Sequence, residues 1–234
     1  MTGLWRKLLA EFIGTALLLA TVVGSGIMGV ALANGNNAVA LLANAGATAS
    51  ALYVLIVIFG PVSGAHFNPA VSMILYLRGD MSRRDAILYV LVQTIAAIVG
   101  VLLAHAMFGL PLLQPGTHVR TGSAQWLSEG VATFGLLLTI LLGLRHRAAA
   151  IPALVASYIF AAYWFTASTS FANPAVTLAR SLTRTFAGIR PNDVAGFVAA
   201  QMVGALAAAA VGKWLTAKSA EPRLAEVRAD GESA

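Results

Sequence analysis

The chain has 234 residues, of which 59% are hydrophobic and 10% charged, whereas soluble domains carry roughly a quarter charged residues. This composition excludes a water-soluble globular protein and marks a membrane chain. The formal net charge of +6 does not mark a nucleic-acid binder, because the basic residues flank apolar spans instead of forming one patch, a pattern of headgroup contact and topology control.

The N-terminal stretch "WRKLLAEFIGTALLLATVVGSGIMGVAL" is too long for a cleavable signal peptide and lacks a small-residue cleavage site, so it reads as a first span. Between Glu11 and Arg78 lie 66 residues without Lys, Arg, Asp or Glu, and between Arg147 and Arg180 another 32. A crossing needs roughly 20 apolar residues, so the first run holds two spans. Breakers such as "NGNN" at 34–37 and "GLPLLQPGT" at 109–117 divide the chain into six spans, at about 4–32, 38–60, 84–108, 123–145, 149–169 and 193–217. The charged, small-residue tail 218–234 reads as a mobile extension, leaving 1–217 as the folded domain. Cysteine is absent and the four histidines are scattered, so no disulfide, thiolate site or metal-ligand spacing exists, and no cofactor is expected.

Two apolar stretches, 61–80 and 170–185, are left outside the spans and are too short to cross. Each contains Asn-Pro-Ala-Val: Asn68, Pro69 and Ala70 in the first, Asn173, Pro174 and Ala175 in the second. Asparagine caps a helix start and proline suits its first turn, so each stretch reads as a loop followed by a short re-entrant helix.

The repetition extends further. "AEFIGTALLL" at 10–19 resembles "SEGVATFGLLL" at 128–138, aligning Glu11 with Glu129, and Gln93 aligns with Gln201. The offsets are 118, 105 and 108 residues for first span, short helix and third span, as a duplication with loop trimming leaves them. With three spans per repeat, at about 4–108 and 123–217, the second copy lies inverted in the membrane. Placing both termini in the cytoplasm puts 11 of the 15 basic residues inside, the expected bias. The short helices then enter from opposite faces and their N-termini meet near the midplane, where each exposes unpaired N–H groups and about half a positive charge. The side chains of Asn68 and Asn173 cap these ends with oxygen and offer NH₂ donors to a passage.

With these features the chain resembles the major intrinsic protein family, the aquaporins and aquaglyceroporins, over about 4–217. The likeness rests on "AEFIGT", "SGAHFNPAVS", Gln93, Gln201 and the second Asn-Pro-Ala. It implies an all-α fold of six transmembrane helices and two re-entrant half-helices, assembled as a homotetramer with one pore per subunit. It also implies that Glu11 and Glu129, the only glutamates within spans, brace the re-entrant loops from behind, and that His66 packs in its loop and turns a carbonyl to the pore. Channels of this type use facing half-helix ends to exclude protons and cations.

The family's selectivity filter is carried over by distance from the two asparagines. Thr48 stands where water channels usually carry Phe, Ala161 where they usually carry His, Ser170 three residues before Asn173, and Val176 where nearly all members carry Arg. Losing the aromatic ring and the arginine removes bulk, charge and donors, which predicts a wider, more apolar opening. Arg180, one helical turn beyond Val176, is either a vestibule charge or an interfacial anchor. Small filter residues and a replaced arginine resemble the aquaglyceroporin branch associated with bacterial arsenic resistance. This implies a passive inner-membrane channel for small uncharged solutes, arsenous acid among them, with glycerol, urea, boric acid or water as alternatives. A proton-coupled transporter using Glu11 or Glu129 and a scaffold with a vestigial pore remain as competing classes. No enzymatic motif is present: there is no Gly-x-Ser-x-Gly, phosphate loop or close polar carboxylate pair.

Overall fold

The computed structural model describes residues 3–217, and the tail at 218–234 lies outside them. Among the described residues the regular structure is helical. Helices α1 (Leu4–Leu32), α2 (Asn37–Ser63), α4 (Arg83–Met107), α5 (Ser123–His146) and α8 (Val194–Leu215) are 22 to 29 residues long. With α6 (Ile151–Phe165), extended by a 3₁₀ turn at 148–150, they make six helices long and apolar enough to span a membrane. Between them lie α3 (Pro69–Leu77) and α7 (Pro174–Arg180), of nine and seven residues. At 1.5 Å per residue these are ~14 and ~10 Å long, well short of a ~30 Å hydrocarbon core.

Local chemistry sets the boundaries. Asn36 caps α2 through its side chain, Gly64 ends α2 in the left-handed region at φ 89°, and Ser82 caps α4. The fifth span stops at Phe165, four residues earlier than its apolarity suggests, because Thr166 turns extended and Thr169 and Ser170 adopt positive φ.

The two halves pack alike. α1 lies against α4 and α5 against α8, while α2 and α6 join the halves. Both pairwise crossings are close backbone contacts: a Cβ on Gly100 would overlap the Ala16 carbonyl, and one on Gly204 would overlap the Gly130 carbonyl. Small residues at helix crossings let backbones approach where lipid removes any hydrophobic drive for association. The core continues across both halves, with Leu19, Ile74 and Val101 from one and Leu137, Phe197 and Ala205 from the other, all fully buried.

Candidate functional site

Asn68 and Asn173 sit at the meeting point of α3 and α7 and are tied to each other's loops. Asn68 Oδ1 accepts from the Ala70 N–H at 2.9 Å, and Asn173 Oδ1 accepts from Ala175 and Val176 at 3.0 and 3.2 Å. Asn68 Nδ2 donates to the Ala172 carbonyl and Asn173 Nδ2 to the Phe67 carbonyl, each at 2.8 Å. One N–H of each amide is therefore spent holding the opposite loop, leaving one per asparagine for a passing molecule. Pro69 and Pro174 occupy the first helical turns, with Ala70 and Ala175 buried behind them.

The loops leading to these helices repeat a strained path. Ala65 and Phe67 have φ 49° and 48°, and their counterparts Ser170 and Ala172 have 50° and 48°. Non-glycine residues in this region cost of order 1–3 kcal/mol each and persist only where surroundings over-determine them. The over-determining group in each half is a carboxylate. Glu11 accepts from His66 N–H, Phe67 N–H, Ser63 Oγ and Gln93 Nε2 at 2.7 to 3.0 Å. Glu129 accepts from Phe171 N–H, Ala172 N–H and Gln201 Nε2 at 2.6 to 2.9 Å. The glutamines continue the symmetry, Gln93 reaching Ser72 and Gln201 reaching Thr177. His66 Nδ1 lies 3.0 Å from Ser72 Oγ, so its ring joins the same lattice.

The loops and half-helices bound a cavity of about 110 Å³ that runs between the two halves. Space of ~10–15 Å³ on this measure suffices for one water, so the cavity holds a file of small molecules. Every helix but α4 and α8 contributes a stripe at i, i+3 or i+4 spacing. Thr48, Leu52 and Ile56 come from α2, and Ile151, Val155, Ile159 and Tyr163 from α6. The half-helices contribute matched triplets, Asn68–Val71–Leu75 and Asn173–Val176–Arg180. Glu11 and Glu129 are fully buried and do not border the cavity.

Thr48, Ser170 and Val176 all border it and are 3 to 5% exposed. Ala161 does not. It lies on the exposed outer face of α6, between the cavity-lining Ile159 and Tyr163, and the Tyr163 hydroxyl is 3.3 Å from Thr48 Oγ1. Twelve residues back from Asn173, the family distance, falls on the outer face of α6, which ends at Phe165 with seven residues before the asparagine. The stripe at every fourth residue from Ile151 was the sequence signal for Tyr163.

Arg180 is not an interfacial anchor: it is 2% exposed and borders the cavity. Its Nε donates to the Ala187 carbonyl, and its guanidinium carbon lies 3.4 Å from the centroid of the Phe171 ring. Arg120 is 7% exposed and packs 4.9 Å from the same centroid. Its Nε and Nη1 donate to the Gly188 and Ser168 carbonyls, and its backbone N–H donates to Asp193. No local sequence signal singles it out, because its partners lie 48 to 73 residues away.

A six-span helical membrane protein whose two half-helices meet end to end across an enclosed passage is a channel, not an enzyme. Comparison with known proteins agrees. The model of the major intrinsic protein family matches residues 1–165 and, in a second overlapping match, 144–233, and the chain belongs to that family. Aquaglyceroporin AqpS of Rhizobium meliloti (strain 1021) is 59% identical over 212 residues, covering 91% of each chain. Aquaporin PIP2-4 of Oryza sativa subsp. japonica is 34% identical over 59% of this chain and 53% of its own. The X-ray structure of the aquaglyceroporin from Plasmodium falciparum superimposes with a TM-score of 0.71 at 18% identity, over 91% of this chain and 95% of that one, which shows the shared fold. The protein is accordingly an aquaglyceroporin-type channel for small solutes.

Proposed function

We propose that the channel passes small uncharged polyol-like solutes, with arsenous acid, which is neutral near pH 7, as the solute that its filter suits best. The observation that carries this reading is the cavity itself: it borders no carboxylate side chain and is lined by both asparagines. A coupled transporter needs a titratable acid on the path, and Glu11 and Glu129 instead have their oxygens occupied by loop N–H groups and glutamines.

The filter of this reading is Thr48, Tyr163, Ser170 and Val176. Three hydroxyls face one apolar side chain, and Tyr163 brings back an aromatic wall that the sequence did not lead us to expect there. Hydroxyls at the narrowing also favour glycerol or urea, which stand as the alternative cargo. Asn68 and Asn173 orient the solute, Pro69, Ala70, Pro174 and Ala175 shape the two half-helix ends, and Glu11, Glu129 and His66 hold the loops. Residues 1–217 form one channel domain, set as a homotetramer in a bacterial inner membrane with both termini cytoplasmic. Proteoliposomes test the function directly. Uptake of arsenous acid and glycerol down their gradients, unchanged by an imposed pH gradient, is the expected result. Strict dependence on protons would overturn it.

A further inference from the structure

The two half-helices present equivalent positions to the passage, and comparing them isolates one residue. Three residues beyond the asparagines stand Val71 and Val176, alike and apolar. Seven residues beyond stand Leu75 on the inner side and Arg180 on the outer. The charge that the family resemblance places at position 176 is therefore present, moved outward by one turn, ~6 Å along the helix axis.

Among the described residues Arg180 is built in as a charge without a salt-bridge partner. Its Nε is held by the Ala187 carbonyl and its plane is stacked on Phe171, and among the described residues no acceptor takes its two Nη groups. The second guanidinium, on Arg120, is likewise bonded to carbonyls, Gly188 and Ser168, and packs on the same ring. The nearest carboxylates are committed elsewhere, Glu129 to loop N–H groups and Asp193 to Arg190 and the Arg120 backbone. Ser170 Oγ, on a residue that lines the same cavity, is also buried and unpartnered.

We infer that Arg180, reinforced by Arg120, is the cation-excluding residue of this pore, filling from one turn further out the role that Val176 leaves open. This rests on the channel reading above. Neutral solutes meet free N–H donors at Arg180, and cations and protons meet a fixed positive charge in a low-dielectric passage. A unit charge a few ångströms from the path at an effective dielectric near 20 changes the partitioning of a monovalent cation by roughly 10- to 100-fold.

The test compares full-length wild type, Arg180→Gln, Arg180→Lys and Arg180→His in proteoliposomes, with glycerol flux as the measure of inserted, open channel. The readout is the ratio of rubidium, and of proton, permeability to glycerol permeability. The inference expects this ratio to rise at least ~10-fold in Arg180→Gln and to stay at the wild-type value in Arg180→Lys, which keeps the charge. Glycerol-conducting Arg180→Gln channels that still exclude rubidium and protons overturn it. If Arg180→Gln does not insert, Arg180→His decides through its pH profile, with rubidium excluded at pH 5 and admitted at pH 8.5. The groups facing this position, Arg120 and His118 on the loop before α5, Tyr163 on α6 and Glu129 on α5, are shared with wild type. Wild type therefore serves as the control at both pH values, and rubidium exclusion by the histidine variant at both overturns the inference. A wild type that carries no solute at all sinks the channel reading instead, which keeps the two failures distinct.

Discussion

At the scale of single residues, the proposed filter depends on Val176 for its width and on Glu129 for its shape. Val176 is 5% exposed and sits one turn inside Arg180 on the same stripe. Val176→Arg fills the narrowing with a side chain that needs its own acceptors, so glycerol and arsenous acid flux should fall by at least ~10-fold while water flux falls less. Solute flux equal to wild type in stopped-flow assays would place the constriction elsewhere. Glu129→Ala acts differently, leaving the N–H groups of Phe171 and Ala172 without their acceptor. Each orphaned buried donor costs roughly 1–3 kcal/mol, and the positive-φ path of Ser170 and Ala172 loses its support. Lower thermal stability in detergent together with reduced solute flux is expected. Unchanged melting would show that the loop holds itself. Which residues were readable in the chain follows from how local their signals are. Asn68 and Asn173 announce themselves through capping chemistry and repetition, and the glutamates through being acids among apolar residues. Ala161, placed by a distance borrowed from the family, lies outside the cavity, whereas the helix stripe present in this chain leads to Tyr163. Arg120 has only long-range partners and no pattern to betray it.

At the scale of elements, the helices were legible because hydropathy measures what the bilayer selects, and five of six spans end close to where polar breakers put them. The fifth did not, because the loop at 166–172 carries no charge, glycine or proline to mark a break and its backbone conformation ends the span. The crossings were not legible, since a glycine in an apolar run does not say which helix it meets. Gly100 and Gly204 hold α1 against α4 and α5 against α8 at positions where any side chain meets backbone. Gly204→Val and Gly100→Val should each cost about 1–3 kcal/mol or more through overpacking that backbone cannot relieve, read as loss of monodisperse protein after extraction. Gly60→Ala is the contrast, because nothing lies within 4 Å of its Cβ position on α2. Replacing a helical glycine there should be neutral or stabilising by ~0.5–1 kcal/mol. Equal damage from all three substitutions would show that the close crossings do not govern assembly.

At the scale of the whole molecule, both half-helices and four of the six spans of the chain, α1, α2, α5 and α6, line one passage. In the proposed homotetramer each subunit then brings its own pore. The outward faces are apolar all round, with Tyr53, Val57, Trp164 and Val203 each 46 to 68% exposed, so neighbouring subunits and lipid compete for the same surface. In a tetramer, flux should therefore be additive over subunits. Co-reconstituting wild type with blocked Val176→Arg chains in equal amounts should leave about half of the wild-type solute flux, whereas one shared central path that needs four open subunits would leave about one sixteenth. Titrating the mixing ratio separates the two without knowing the unitary rate, because the first relation is a straight line and the second a fourth power. A fourth-power curve would mean that the conducting path lies on the symmetry axis, and the filter at Thr48, Tyr163, Ser170 and Val176 would then lie off the route. The same mixing applied to Arg180→Gln channels should give cation leak in proportion to the variant fraction, since each pore in this architecture carries its own charge barrier.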